Sequence, residues 1–136
     1  MTTIDAVRLG IIWQRLNGMT DEVAESFIRS SFSSVVRENS DMAFSLLDPK
    51  GRQFIQTRRS IPSFIGTLPH TLKEILKVIP LKDFNKGDVV ISNDAWLGTG
   101  HLNDITMIHP IFKNGQIIAF AGSTAHTVDI GGAPSP

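Results

Sequence analysis

Two histidines and an aspartate in the second half of the chain have the types and spacing of a metal-ligand set. In "GTGHLNDITM", residues 98–107, His101 and Asp104 lie three positions apart in a turn that follows two glycines, and an apolar run begins directly after Asp104. His126 stands at the end of "IIAFAGSTAH". Imidazole together with carboxylate favours zinc, manganese or iron over calcium or magnesium. A nitrogen–oxygen site with an open position polarises a carbonyl or lowers the pKa of a bound water. The chain has no cysteine, so histidine, aspartate and glutamate are the strong ligands left to it. The same residues also fit a solvated polar turn, because aspartate favours turns for its local hydrogen bonds and a lone His-x-x-Asp arises readily by chance.

Other polar residues have simpler readings. Asp94 reads as a turn residue, His70 as solvated in a helix first turn, and His109 as a packed or surface histidine in a strand. Asp41 ends "RENSD" between a helix and a strand and carries no functional signal of its own. Gly98, Gly100, Gly131 and Gly132 would let backbone approach a ligand closely.

The elements that must position the trio follow from periodicity. "ITMIHPIF" and "IIAFAGSTAH" are strand-like and joined by Lys113-Asn114-Gly115-Gln116, an Asn-Gly hairpin turn. The open ends of such a hairpin lie about one strand spacing, roughly 5 Å, apart. That geometry returns His126 toward Asp104 and His101, near enough for small shifts in the turn to let all three reach one ion. "GDVVISND" reads as a preceding strand. Upstream, "MAFSLLD" and "RQFIQT" flank Asp48-Pro49-Lys50-Gly51, a type I turn sequence, and predict a β-hairpin. "IPSFIG" reads as a short extended piece, and "TLPHTLKEILKVI" as a helix stopped by Pro80.

Residues 4–36 read as helical. Ile4, Val7, Ile11, Ile12, Leu16 and Met19, continued by Val23, Phe27 and Ile28, form an apolar stripe, with Trp13 and Phe27 expected in the core. Gly10 and Gly18 interrupt it and Thr20-Asp21 resembles a cap, so one long helix and a broken pair both fit. The pattern is α+β: an N-terminal helical segment, a β-hairpin, a short helix, then mostly antiparallel strands, as part of a larger domain.

Composition narrows the classes. Net charge is zero and Arg58-Arg59 is the only adjacent basic pair, so the chain lacks the clustered positive field that nucleic acid and acidic membranes require. No apolar run is long enough to span a bilayer and the N-terminus lacks the signal-peptide pattern, so a cytoplasmic setting is expected. The chain stops at "DIGGAPSP", directly after a strand-like run, which reads as a piece of a longer protein.

"NDAWLGTGHLNDITMIHPIF" followed by "AHTVDIGG" resembles the N-terminal part of the hydantoinase B/oxoprolinase family. That family includes N-methylhydantoinase B, one half of 5-oxoprolinase, caprolactamase β and subunits of the ATP-dependent acetone and acetophenone carboxylases. The opening helix, "RENSDMAFSLLDPKGR", "GTLPHT" and "KGDVVISND" follow in the family's order, so residues 1–136 resemble the metal-site-bearing part of a hydantoinase B-like subunit. The resemblance implies a divalent metal, zinc or manganese, with His101, Asp104 and His126 as ligands. It also gives Asp41 a role, as the fourth ligand. Asp129 of "DIGG" would orient His126 or the glycine turn.

The resemblance further implies a hydantoinase A-like partner subunit that binds ATP and phosphorylates a cyclic amide or ketone oxygen. The expected function is ATP-dependent hydrolysis of a cyclic amide of hydantoin, 5-oxoproline or lactam type. The alternatives are a subunit of a ketone carboxylase and a non-catalytic subunit-docking module. No Walker-type glycine loop occurs in this chain. Two departures bear on the substrate: Asn93-Asp94-Ala95 replaces the family's frequent Asn-Asp-Pro, and Phe64 stands where a histidine is common.

Overall fold

The structure, a computed structural model, describes residues 4–129 and 131. Helix α1, Ala6–Ser30, is continuous. Asp5 caps it by accepting from the Arg8 N–H at 2.7 Å. Thr20 starts no second helix; its hydroxyl lies 2.9 Å from the Asn17 carbonyl and 3.2 Å from that of Leu16, so it bonds back into the same one. A separate short helix, α2, spans Ser34–Asn39 and is capped by Ser33.

Five antiparallel strands follow: β1 (Met42–Leu47), β2 (Gln53–Gln56), β3 (Val90–Ser92), β4 (Asp104–Lys113) and β5 (Gln116–His126), in the spatial order β2-β1-β5-β4-β3. Both hairpins form where the turn residues require them. Gly51 N–H donates to the Asp48 carbonyl at 2.9 Å. Asn114 and Gly115 adopt φ of 52° and 76°, the left-handed pair that matches the twist of the flanking strands. The insertion of β1 beside β5 joins the two hairpins, a pairing that neither turn encodes.

Between the hairpins, α3 (Pro62–Ile65) and α4 (Thr67–Val78) lead to a short 3-10 turn at Leu81–Asp83. "IPSFIG" is therefore helical rather than extended. Pro62 forces only Ile61 into the extended region (ψ 140°), while its own fixed φ suits the first turn of a helix.

Each face of the sheet has its own core. On one, Leu68, Leu72 and Ile75 of α4 meet Ala43, Leu47, Ile108 and Phe120, with Phe64 and Phe84 closing the sides. Full burial of each such side chain is worth roughly 1.5–3 kcal/mol. Gly122 permits this contact: a Cβ there would stand 3.1 Å from the Ile108 and Leu47 methyl groups and 3.2 Å from Leu68. On the other face, Ala24, Phe27 and Ile28 of α1 pack with Val36, Met42, Phe44 and Ala125, and the Phe27 and Phe44 rings meet edge to face at 5.4 Å. The first half of the α1 stripe is not core: Val7, Ile11 and Met19 are exposed, and Trp13 is 47% exposed. Heptad-like spacing makes a helix amphipathic but does not supply the surface that covers it.

Candidate metal centre

Strand alternation builds the site. Asp104, Thr106, Ile108 and Pro110 of β4 are paired in register with His126, Thr124, Gly122 and Phe120 of β5, and cross-strand partners share a face. Ile108 and Phe120 place that face under α4. Asp104 therefore opens β4 on the inner side of the sheet, directly opposite His126. On the other flank of β5, Met42 pairs with Ala125, and the His126 N–H donates to the Asp41 carbonyl at 3.0 Å. Three adjacent strand ends thus carry Asp104, His126 and Asp41 in a row, and the loop before β4 delivers His101.

The Asp104 side chain is 1% exposed, and both of its oxygens are engaged. Oδ1 lies 2.7 Å from His126 Nδ1. Oδ2 accepts from the Thr99 hydroxyl and is 3.5 Å from His101 Nδ1. The two imidazole rings stand 6.3 Å apart, centroid to centroid, at 84°. His101, Asp104 and His126 each offer a ligand atom within 4.8 Å of the others. The hairpin geometry read from the sequence is the geometry found.

Asp41 stands outside that close group but beside it. Its Oδ1 is buried without a hydrogen-bond partner. Burial raises its carboxyl above the usual carboxylate range, aided by repulsion from Asp104 and opposed by attraction to His126 and His101. A buried carboxylate oxygen with no donor costs on the order of 1–3 kcal/mol, and a cation would satisfy it. Two carboxylates and two neutral imidazoles carry a charge that a divalent ion neutralises. The donor set and the orphaned oxygen both fit the implied metal.

The surroundings are ordered by hydroxyls. Thr106 and Thr124 are bonded to each other at 2.9 Å, buried directly behind Asp104 and His126. The loop from β3 to β4 is tied by Asn93 to the Leu102 carbonyl (3.2 Å) and by Thr71 of α4 to the Leu97 carbonyl (2.5 Å). Sequence reasoning misses Thr99; the one signal for it is a hydroxyl residue between the glycines that precede His101. The main surface depressions, at Phe84, Lys86 and Phe112 and at Asp21 and Arg58, do not include the cluster, which lies at the open surface with His101 71% exposed.

The remaining polar residues stay apart. Asp94 accepts from the Trp96 N–H at 2.8 Å, as a turn residue does. His109 meets the Asp88 carbonyl at 2.8 Å, and His70 is exposed. Asp129 accepts from the Gly131 N–H at 2.8 Å and, among the described residues, makes no hydrogen bond to His126, so its part is in the glycine turn. Gly132 lies outside the described residues. Phe64 is buried in the core under α4, so that departure from the family pattern alters packing rather than the site.

The hydantoinase B/oxoprolinase family model matches residues 5–135. A D-/L-hydantoinase protein of the B type from Pseudomonas sp. (strain NS671) is 31% identical over 130 residues, covering 94% of this chain and 22% of that one. The 5-oxoprolinase of Dictyostelium discoideum is 28% identical over 131 residues, covering 96% of this chain and 10% of that protein. The chain thus spans less than a quarter of the length of these relatives. Among solved structures, the ATP-dependent caprolactamase from Pseudomonas jessenii superposes with a TM-score of 0.84 at 26% identity, over 96% of this chain and 22% of that one. Acetone carboxylase shares the fold, with a TM-score of 0.78 at 23% identity over 88% of this chain and 16% of that one. With the fold, the strand-end cluster and a match along nearly its whole length, the chain belongs to the hydantoinase B/oxoprolinase family.

Proposed function

We propose that residues 1–136 are the N-terminal, metal-bearing part of a hydantoinase B-like subunit of an ATP-dependent enzyme that hydrolyses a cyclic amide of hydantoin, 5-oxoproline or lactam type. The observation that carries this reading is the convergence of His101, His126 and buried Asp104 beside the unpartnered oxygen of Asp41. These four residues would hold the ion. A bound zinc or manganese ion supplies Lewis-acid activation of water or of a substrate oxygen. The chain's own residues do the rest. Asp104, gripped by His126 and Thr99, fixes the centre against the sheet. His101, largely exposed, marks the side from which a small molecule approaches.

ATP belongs to a hydantoinase A-like partner subunit in this reading, which agrees with the absence of a Walker-type loop here and with the ATP-dependent caprolactamase among the structural neighbours. Among the described residues no helix is long and apolar enough to cross a membrane, and the cysteine-free composition suits a cytoplasmic enzyme.

The test is metal analysis and ATP-dependent hydrolysis of the full-length protein with its partner. His101→Ala and His126→Ala are expected to lose metal and hydrolysis together. Metal retained by both variants would overturn the reading and favour a non-catalytic docking module. The likeness to acetone carboxylase supports a second reading, a subunit of a ketone carboxylase. Bicarbonate-dependent ATP consumption would select it.

A further inference from the structure

Resting on that metal reading, we infer that Thr99 is a positioning residue for the Asp104 carboxylate, and that Thr71 anchors the loop through which it acts. A buried carboxylate needs donors on both oxygens to stay ionised and oriented. His126 serves Oδ1 at 2.7 Å. On Oδ2 the hydrogen bond comes from Thr99, while His101 Nδ1 stands off at 3.5 Å. A hydroxyl donating to a carboxylate makes a short charge-assisted bond. Threonine is also stiff at χ1, so its hydroxyl is held where the backbone aims it.

That backbone is itself held from α4. Thr99 sits between Gly98 and Gly100, the latter at φ 94°, a segment with little intrinsic stiffness. Two residues upstream, the Leu97 carbonyl meets the Thr71 hydroxyl at 2.5 Å. Thr71 is 1% exposed, and its hydroxyl also lies 3.0 Å from the Thr67 carbonyl inside the helix. The line of support runs from α4 through Thr71 and the 97–99 backbone to Asp104. The hydrogen bond from Thr99 keeps the carboxylate from turning about its last torsion, leaving one geometry to offer the ion.

Outer partners of this kind are worth about 10–100-fold in metal affinity. In the full-length protein, zinc affinity measured by chelator competition is expected to fall by about that factor in Thr99→Val. Thr99→Ser, which keeps the hydroxyl, restores it. Thr71→Val weakens binding in the same direction by less. The thermal midpoint of the metal-free protein is expected to stay put in Thr99→Val, because the half-buried threonine packs against no core cluster. If the valine variant fails to fold, Thr99→Ala is read in its place. Zinc binding by Thr99→Val and Thr99→Ala at wild-type affinity overturns the inference and leaves the metal reading standing. A wild-type protein that holds no zinc or manganese overturns both.

Discussion

The open end of the β4–β5 hairpin and the first half of α1 invert the usual rule of burial in opposite directions. At the hairpin end, Asp104, Thr106 and Thr124 are buried at 3%, 4% and 0% exposure. Along α1, Val7, Ile11 and Met19 stand in solvent at 74%, 55% and 61%. The difference lies in the neighbours. Each buried polar group at the strand ends has a partner: His126 and Thr99 for Asp104, and Thr106 and Thr124 for each other. The α1 side chains have apolar character but nothing to pack on, since the two core clusters include no α1 residue before Ala24. Polarity proposes an environment and geometry grants it. A buried polar cluster that is satisfied inside an otherwise apolar sheet is a specific structure, with few rearrangements open to it.

The comparison can be broken most forcefully at Asp104. Replacing it with alanine strands His126 and Thr99 in a buried setting, and is expected to abolish metal binding and to cost about 3 kcal/mol in urea unfolding. An unfolding midpoint equal to wild type would mean that the strand-end network contributes nothing to the fold. Next in size is a test within α1 itself. Phe27→Ala removes a ring packed against Phe44 and is expected to cost about 2–3 kcal/mol, whereas Ile11→Ala should stay within about 0.5 kcal/mol. Equal costs would show that the two halves of the helix are held alike.

The smallest effect concerns how α1 is tied down. Asp21 pairs with Arg58 and Glu25 with Arg59, each at 2.7 Å. Burial pushes the Asp21 carboxyl up, but the Arg58 N–H and guanidinium more than offset it and leave the group below its ordinary value. A carboxyl depressed on folding stabilises the folded state above its unfolded pKa, near 4, and that contribution disappears as pH falls through the folded value. The stability difference between wild type and Asp21→Asn is therefore expected to be under about 1 kcal/mol at neutral pH and to vanish in acid. A difference that persists unchanged at pH 3 would mean that the carboxylate's charge is not what matters.

Most of the site is readable because it is local. Asn114-Gly115 fixes the turn, the turn fixes the register, and the register sets Asp104 against His126. The helix at 67–78 and the first hairpin are readable for the same reason: their signals lie within a few residues of what they control. Failures come where a local signal is incomplete. Pro62 speaks for the residue before it and says little about those after, so "IPSFIG" reads as extended and folds as helix. Trp13 has the chemistry of a core residue and lacks a core to join.

The sequence by itself determined the elements, the two hairpins and the pairing of Asp104 with His126. Tertiary structure alone decided that β1 lies against β5, which brings Asp41 to the same strand end, and that Thr71 of α4 reaches the loop carrying Thr99 and His101. The physical reason is one of distance along the chain. A turn closes over a few residues at small entropic cost and is written in its own side chains. The joining of remote strands is chosen by the sum of what both faces can bury, and no short stretch of sequence holds that sum.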